Sequence, residues 1–174
     1  MMKYKNVLKD FEDIHELKKL YVQSFPEEER MVWEHLFVLA DQEDVDFWAY
    51  YQNEDLVGAT YTVNHDKMSW LFYFAVVPKY RGQGLGTRIL KYLLGNYRDR
   101  RLMIDIEDPD QPADNTTQRV RRYGFYKRMG FVDYGIRVSV DTIQYNIMSY
   151  GGKISIDDYY TLKKSFRNSI LKRT

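Results

Sequence analysis

The chain has 174 residues, of which 44% are hydrophobic and 16% are aromatic. This length and composition predict one globular domain with a packed core and exclude an intrinsically disordered protein. The formal net charge of +1 gives no general attraction to nucleic acid, and cysteine is absent. Disulfides, thiolate nucleophiles and cysteine metal ligands are therefore excluded, which fits a reducing compartment.

The sequence also argues against a membrane or metal partner. No apolar stretch is long enough to span a bilayer, and the N-terminus has no signal-peptide pattern. His15, His35 and His65 are scattered without the spacing of metal ligands. We expect a cytoplasmic protein with neither a membrane partner nor a bound metal.

The first half of the chain predicts one strand, two helices and three further strands. A strand over Tyr4–Leu8 precedes a helix capped by Asp10, with apolar residues at helical spacing up to Tyr21. Ser24-Phe25-Pro26-Glu27 has the pattern of a capping box, and the second helix that follows it has Trp33, Leu36, Phe37 and Ala40 as its apolar face. An antiparallel meander is then predicted by three aromatic and β-branched runs separated by turn residues: Val45–Tyr51, Leu56–Val63 and Met68–Val77.

The second half alternates helices with strands and ends in a hairpin. The predicted elements are a helix over 87–97, a strand over Leu102–Ile106, a helix over Thr117–Met129, and hairpin strands over Ile136–Val140 and Ile143–Ile147. Gly130 is placed to end the second of these helices. The tail predicts a docked amphipathic helix with Tyr159, Leu162 and Phe166 on its apolar stripe.

A glycine-rich turn is the most informative stretch of the chain. Arg81-Gly82-Gln83-Gly84-Leu85-Gly86 follows an apolar strand and opens a helix. A helix N-terminus presents N–H groups without acceptors and the positive end of a dipole, so it favours a phosphate or pyrophosphate. The alternative is a turn whose glycines only relieve strain. The neighbouring Arg88 and Lys91 favour the phosphate.

The order of elements and two motifs resemble the GCN5-related N-acetyltransferase (GNAT) family. The stretch from Ala75 to Gly86 is similar to the family's strand and acetyl-CoA loop, whose core is Arg/Gln-x-x-Gly-x-Gly/Ala. The stretch Phe125-Tyr126-Lys127-Arg128-Met129-Gly130-Phe131 is similar to the family's later Phe-Tyr-x-x-x-Gly-Phe signature. The resemblance implies an α/β (α+β) domain over residues 1–150 and a C-terminal extension over 151–174. It also implies a mixed, mostly antiparallel sheet of about 6–7 strands, about four flanking helices and a C-terminal helix.

The resemblance makes acetyl-CoA the cosubstrate. Family members hold the pyrophosphate on the loop and the following helix start, which assigns cofactor binding to Arg81, Gly82, Gln83, Gly84, Leu85, Gly86 and Thr87. In the family, the preceding strand is bulged and the pantetheine arm lies along it. Val76 and Val77 occupy that stretch, and a free N–H from one of them would polarise the thioester carbonyl.

Acetyl transfer to an amine needs a neutral amine, a stabilised oxyanion and a leaving thiolate that receives a proton. Because cysteine and a Gly-x-Ser-x-Gly elbow are absent, direct attack by a primary amine is the simplest route. The family signature implies that Tyr126 is the acid that serves the thiolate. Glu107 is the candidate base, with Asp108 and water as alternatives.

The acceptor is expected to be an amine of a small molecule or a protein. A cationic amine fits the acidic loop formed by Glu107, Asp108, Asp110 and Asp114. By family analogy, the acceptor side is lined by Phe25, Arg30 and Trp33. The alternative is core packing and a surface charge, and for Trp33 core packing is the favoured interpretation.

The sequence leaves two other functions open, and it also leaves open whether the protein forms a homodimer. A sensor that binds acyl-CoA without turnover would keep the glycine loop and lack a base. Nucleic-acid binding would use the basic residues Arg119, Arg121, Arg122, Lys127 and Arg128 with the tail. The near-neutral total charge and the acidic loop argue against that second function.

Overall fold

The β-rich runs of the sequence form the middle of a seven-stranded sheet in a computed structural model that describes residues 1–173. The strands are β1 (Met2–Asn6), β2 (Val45–Gln52), β3 (Asp55–His65), β4 (Met68–Val76), β5 (Arg101–Glu107), β6 (Val132–Val140) and β7 (Ile143–Tyr150). The helices are α1 (Ile14–Ser24), α2 (Trp33–Ala40), α3 (Leu85–Asn96), α4 (Thr116–Arg128) and α5 (Ile156–Arg173).

The strand order is β1-β2-β3-β4-β5-β7-β6, and only the β4–β5 pair is parallel. A parallel pair needs a crossover connection, which α3 supplies. The predicted fold class is confirmed: a mixed, mostly antiparallel sheet, four flanking helices and a C-terminal helix.

Two hydrophobic cores cover the two faces of the sheet. Side chains alternate between the faces of a strand, so neighbouring residues of β5 enter different cores. Met103 packs in the core covered by α1, α2 and α5, whereas Leu102 and Ile104 pack in the core covered by α3 and α4. The C-terminal helix buries the predicted stripe Tyr159, Leu162 and Phe166 in the first of these cores.

Three local predictions near the N-terminus are wrong. The first strand ends at Asn6, two residues before the predicted end at Leu8. Asp10 lies in a turn before α1, because the helix begins only at Ile14. The capping box is also wrong: its serine ends α1, and a 3₁₀ turn over Glu27–Glu29 follows in place of a helix. A contact with β4 fixes this segment, since the N–H of Met31 donates to the Tyr73 hydroxyl at 3.0 Å.

The strands β4 and β5 separate soon after they pair. Their parallel register ends at Trp70 opposite Met103. A register shift on the other edge of β4 leaves Phe72 as an extra residue between Leu71 and Tyr73, which is a β-bulge. A bulge bends its strand and increases the local twist, so the second half of β4 turns away from β5. The bulged strand that the resemblance implied is therefore present.

Candidate active site

The gap between β4 and β5 opens into a cleft of about 990 Å³. Its walls come from β4 and β5, from the segment after α1, and from side chains of α4, β7 and α5. A cleft of this size accommodates a large ligand. The described structure therefore has a large concave site where the parallel strands diverge.

The main chain of Val76 faces this cleft. The N–H of Val77 donates to the carbonyl of Val57 in β3 at 2.9 Å. Because main-chain groups alternate in direction along an antiparallel pair, the N–H and carbonyl of Val76 point away from β3. Arg81 reaches that carbonyl, donating from Nε at 3.0 Å. Of the two predicted valines, Val76 thus presents its N–H to the cleft, whereas the Val77 N–H is already bonded.

The glycine-rich loop forms an open helix N-terminus. Gly82 and Gly84 both have φ of +74°, a left-handed conformation that glycine adopts without steric cost. Gly84 caps α3, and the first helical bond runs from the N–H of Arg88 to its carbonyl at 3.1 Å. No side chain caps this end, and the first turn has no acidic residue. The N–H groups of the first turn are therefore available to an anion.

Apart from Val77, described above, the predicted cofactor residues fall into three groups according to their position in the structure. Val76, Arg81 and Gly86 line the cleft. Gly82, Gln83 and Gly84 are exposed along the loop that leads out of the cleft. Thr87 is half-buried, and Leu85 is buried in the core of α3, so its side chain packs while its main chain lies at the helix start.

Tyr126 lines the cleft from the last turn of α4. The helix ends in a Schellman motif, in which the N–H of Phe131 donates to the Tyr126 carbonyl at 3.1 Å and Gly130 has φ of +93°. The rings of Tyr126 and Phe131 also pack, with centroids 5.2 Å apart. Burial raises the pKa of Tyr126 to about 12. Its hydroxyl consequently keeps its proton at neutral pH.

Glu107 lines the cleft at the end of β5, but other residues already hold its carboxylate. Arg119 donates to Oε1 at 3.0 Å, and both side chains of this pair are buried. Arg122 lies 3.5 Å from Oε2, and the amide of Asn115 donates to the same oxygen at 3.3 Å. The carboxylate is therefore fixed in position by α4 and by the residue before it.

The other residues of the predicted acidic loop do not line the cleft. Asp108 accepts a hydrogen bond from the N–H of Asp110 at 3.0 Å, which is a local turn contact. Its second neighbour is the amide of Asn146 at 3.5 Å. Only Glu107 of the predicted acidic group lies among the residues that line the cleft.

One of the three residues predicted for the acceptor side lines the cleft. Phe25 does so, next to Tyr73 of β4, with ring centroids 4.7 Å apart. Trp33 packs against Tyr21 and Phe37 within the core, and Arg30 is not among the lining residues.

Five charged residues of the cleft were not assigned to it from the sequence: Glu28, Glu29, Asp105, Arg122 and Lys163. Asp105 accepts hydrogen bonds from the indole of Trp70 at 2.8 Å and from Lys163 at 3.1 Å. A usable signal existed for Asp105, because residues two apart on a strand share a face and Glu107 was already a candidate. Lys163 comes from α5, and nothing in the local sequence placed that helix beside the cleft.

The architecture is similar to that of solved acetyltransferase structures. A GNAT-family protein from Bacteroides thetaiotaomicron has a TM-score of 0.76 at 22% identity, over 94% of each chain. The ribosomal-protein-S18-alanine N-acetyltransferase of Escherichia coli has a TM-score of 0.62 at 19% identity, over 90% of this chain and 98% of that one. An aminoglycoside 6′-N-acetyltransferase complexed with coenzyme A has a TM-score of 0.67 at 17% identity, over 85% and 96%. These likenesses establish the fold.

The family follows from the sequence itself. A sequence model of the acetyltransferase (GNAT) family matches residues 12–131, which is more than half of the chain. The chain therefore belongs to the GNAT family, and the prediction of an N-acetyltransferase is confirmed at the level of the enzyme class. No curated protein matches the sequence.

Two features are absent from residues 1–173, a membrane-spanning helix and a metal-binding cluster. None of the helices in this range is both long enough and apolar enough to cross a lipid bilayer. The same residues contain no group of three or more histidine, aspartate or glutamate side chains arranged to hold a metal ion.

Proposed function

We propose that this protein transfers the acetyl group of acetyl-CoA to a primary amine of a small molecule or a protein by direct attack. The observation that carries the proposal is the divergence of β4 and β5 after Trp70, which exposes the Val76 main chain beside an uncapped helix N-terminus. A pyrophosphate on the loop and a thioester at Val76 would together span the cleft.

In this proposal, the loop binds the diphosphate through main-chain N–H groups of residues 82–87. Gly82 and Gly84 hold the left-handed turns, Gly86 lets the ligand approach the helix, and Arg81 adds a positive charge. The pantetheine arm lies along the second half of β4, as an added strand would. The Val76 N–H then donates to the thioester carbonyl and stabilises the oxyanion that forms there.

Tyr126 acts on the leaving sulfur. A thiol has a pKa of about 8.5, which lies below the value of about 12 for this buried phenol. Full transfer of the phenolic proton to the thiolate is therefore uphill. We infer that the Tyr126 hydroxyl stabilises the developing thiolate by donating a hydrogen bond. The signature led us to expect an acid at this position, and here the acid shares its proton with the sulfur without giving it up.

The acceptor amine approaches from the side of α1, β7 and α5. A cationic acceptor is favoured because Glu29, Asp105 and Glu107 lie around this part of the cleft. The carboxylate of Glu107 is held by Arg119 and Arg122 and contributes negative charge to the wall of the cleft, and its role as the base stays a prediction. A cytoplasmic location and a homodimer likewise stay predictions.

Release of coenzyme A tests this function. The protein is mixed with acetyl-CoA and a panel of amines that includes 2-phenylethylamine, spermidine and a peptide with a free N-terminus, and free thiol is measured. Amine-dependent release supports the transferase. Tight binding of acetyl-CoA without release on any amine would support the acyl-CoA sensor instead.

A further inference from the structure

Glu29 enters the cleft from the segment between α1 and α2, and Tyr73 fixes this segment to β4. The Tyr73 hydroxyl donates to the main-chain carbonyl of Glu29 at 2.8 Å. The same hydroxyl accepts from the N–H of Met31 at 3.0 Å. The hydroxyl of Tyr21 donates to the Met31 carbonyl at 3.1 Å. The segment from Glu29 to Met31 is thus held by two tyrosines, Tyr21 of α1 and Tyr73 of β4. The second of these lies on the strand that carries Val76.

The carboxylate of Glu29 is half-buried and lines the cleft. It has no hydrogen-bond or ion-pair partner among residues 1–173. Burial, followed by the nearby charge of Glu107, raises its pKa above the usual value of a glutamate. The charged and titratable groups that face this part of the cleft are Glu28 beside it, Asp105 and Glu107 of β5, Arg122 of α4, Tyr145 of β7 and Lys163 of α5.

The two carboxylates that β5 supplies to the cleft, Asp105 and Glu107, are already engaged. Both oxygens of Glu107 interact with Arg119, Arg122 or Asn115. Both oxygens of Asp105 accept hydrogen bonds, from Trp70 and Lys163. A general base needs an oxygen that is free to accept the proton of the substrate. Within the described cleft, two carboxylates meet this condition, Glu28 and Glu29. Glu28 is exposed, whereas Glu29 is half-buried on the segment that Tyr73 fixes to β4.

We propose that Glu29, in place of the sequence-predicted Glu107, is the general base that takes the proton from the acceptor ammonium, an assignment that rests on the proposed acetyl-transfer function. The acceptor ammonium gives one proton to the Glu29 carboxylate and becomes a neutral amine. Its nitrogen attacks the thioester carbon, and the new C–N bond forms as the oxyanion is held by Val76. The C–S bond then breaks, and coenzyme A leaves as a thiolate next to Tyr126.

The remaining proton transfers complete the balance. The nitrogen of the new amide still carries one proton too many, and this proton passes to the thiolate to give the free thiol. Glu29 returns its proton to solvent. The net products are the N-acetylated acceptor, free coenzyme A and one proton from the original ammonium.

The test uses two amines of nearly equal shape and different basicity. 2-Phenylethylamine is almost fully protonated at pH 7, since alkylamines have pKa values near ~10. Its analogue 2,2-difluoro-2-phenylethylamine is far less basic because fluorine withdraws electrons. The ammonium form of this analogue therefore loses its proton easily, and its reaction depends little on a general base. The variants are Glu29→Gln and the control Glu27→Gln, an exposed residue of the same turn that does not line the cleft.

With 2-phenylethylamine, Glu29→Gln should lower kcat/KM at pH 7 about 100-fold, and the rise of kcat with pH should move to higher pH, toward the pKa of the amine itself. With the difluoro analogue the loss should be only a few-fold, and Glu27→Gln should match the wild type on both amines. Equal losses on the two amines, or a rise of kcat with pH that Glu29→Gln leaves unmoved, would overturn the assignment. A wild-type protein that binds acetyl-CoA and acetylates neither these amines nor the wider panel would instead overturn the proposed function.

Discussion

Arg81 donates from its Nε atom to the main-chain carbonyl of Val76 at 3.0 Å. This contact joins the first residue of the glycine loop to the end of the strand that carries the proposed donor to the thioester. It therefore links the two parts of the proposed site, one for a diphosphate and one for a carbonyl group, through a single side chain.

Arg81→Ala should weaken the binding of acetyl-CoA. The variant loses a positive charge beside the loop and frees the Val76 carbonyl, and charge-assisted hydrogen bonds are among the stronger ones. We expect about a tenfold rise in Kd, measured by calorimetry. Arg98→Ala is the control, since this exposed arginine bonds to Gly95 at the far end of α3. Equal affinity of the two variants would remove Arg81 from the binding site.

Gly84→Asp should abolish coenzyme binding, because it places a carboxylate where the diphosphate is proposed to lie. An added Cβ at this position meets no atom within 4 Å, so the new side chain causes no clash with the protein. Gly84→Asn is a matched control, because asparagine has a similar shape, tolerates a positive φ and carries no charge. We expect a loss of more than about 100-fold for aspartate and about tenfold or less for asparagine. Similar affinities of the two variants would contradict a diphosphate at this helix start.

Tyr126→Phe should lower turnover more than affinity. The variant keeps the ring that packs on Phe131 and loses only the hydroxyl proposed to stabilise the sulfur. We expect kcat to fall about 10- to 100-fold, with a Kd for acetyl-CoA close to that of the wild type. The control is Tyr123→Phe, whose hydroxyl donates to Asp133 outside the cleft. A wild-type rate for Tyr126→Phe would leave the residue with a packing role.

Glu107→Ala should destabilise the folded protein through its buried partner. The Arg119 side chain is only 7% exposed, so removing the carboxylate leaves a buried positive charge unpaired. We expect a loss of about 3 kcal/mol in the free energy of unfolding, measured by urea denaturation. In the double variant Glu107→Ala/Arg119→Ala, the loss should be smaller than the sum of the two single losses. Additive losses would show that the pair is not coupled.

Glu29→Gln should stabilise the protein at neutral pH relative to acidic pH. Because the pKa of Glu29 is raised in the folded state, the folded protein holds this proton more tightly than the unfolded chain. The ionised side chain therefore costs stability, and this cost develops as pH rises from the unfolded pKa to the folded one. The difference in unfolding free energy between Glu29→Gln and wild type should accordingly favour the variant more at pH 8 than at pH 4. A difference that does not change with pH would contradict the raised pKa.

The parts of the site that depend on local backbone chemistry are the parts that the sequence predicts. Gly84 and Gly130 stand where the chain needs a positive φ, so the loop and the end of α4 could be located from residue types and spacing. The antiparallel meander followed from aromatic and β-branched runs for the same reason. Signals of this kind extend over a few residues and do not require knowledge of the fold.

The parts that depend on distant contacts could not be predicted in this way. Glu29 is placed by a hydrogen bond from Tyr73, which lies 44 positions away in the chain. Lys163 reaches Asp105 across 58 positions, on a helix outside the matched family region. The sequence around Pro26 has the local pattern of a helix start, but tertiary contacts override this pattern. The local sequence therefore gave no indication that Glu29 lies at the cleft.

The central claim is that main-chain N–H groups of residues 82–87 hold the diphosphate of the cosubstrate. Amide chemical shifts of ¹⁵N-labelled protein, followed during a titration with coenzyme A, measure this directly. We predict that the largest shifts fall on Gly82, Gly84, Gly86 and Thr87, with a further shift at Val76. A saturating titration that leaves these amides unmoved and shifts those of another surface would contradict the account.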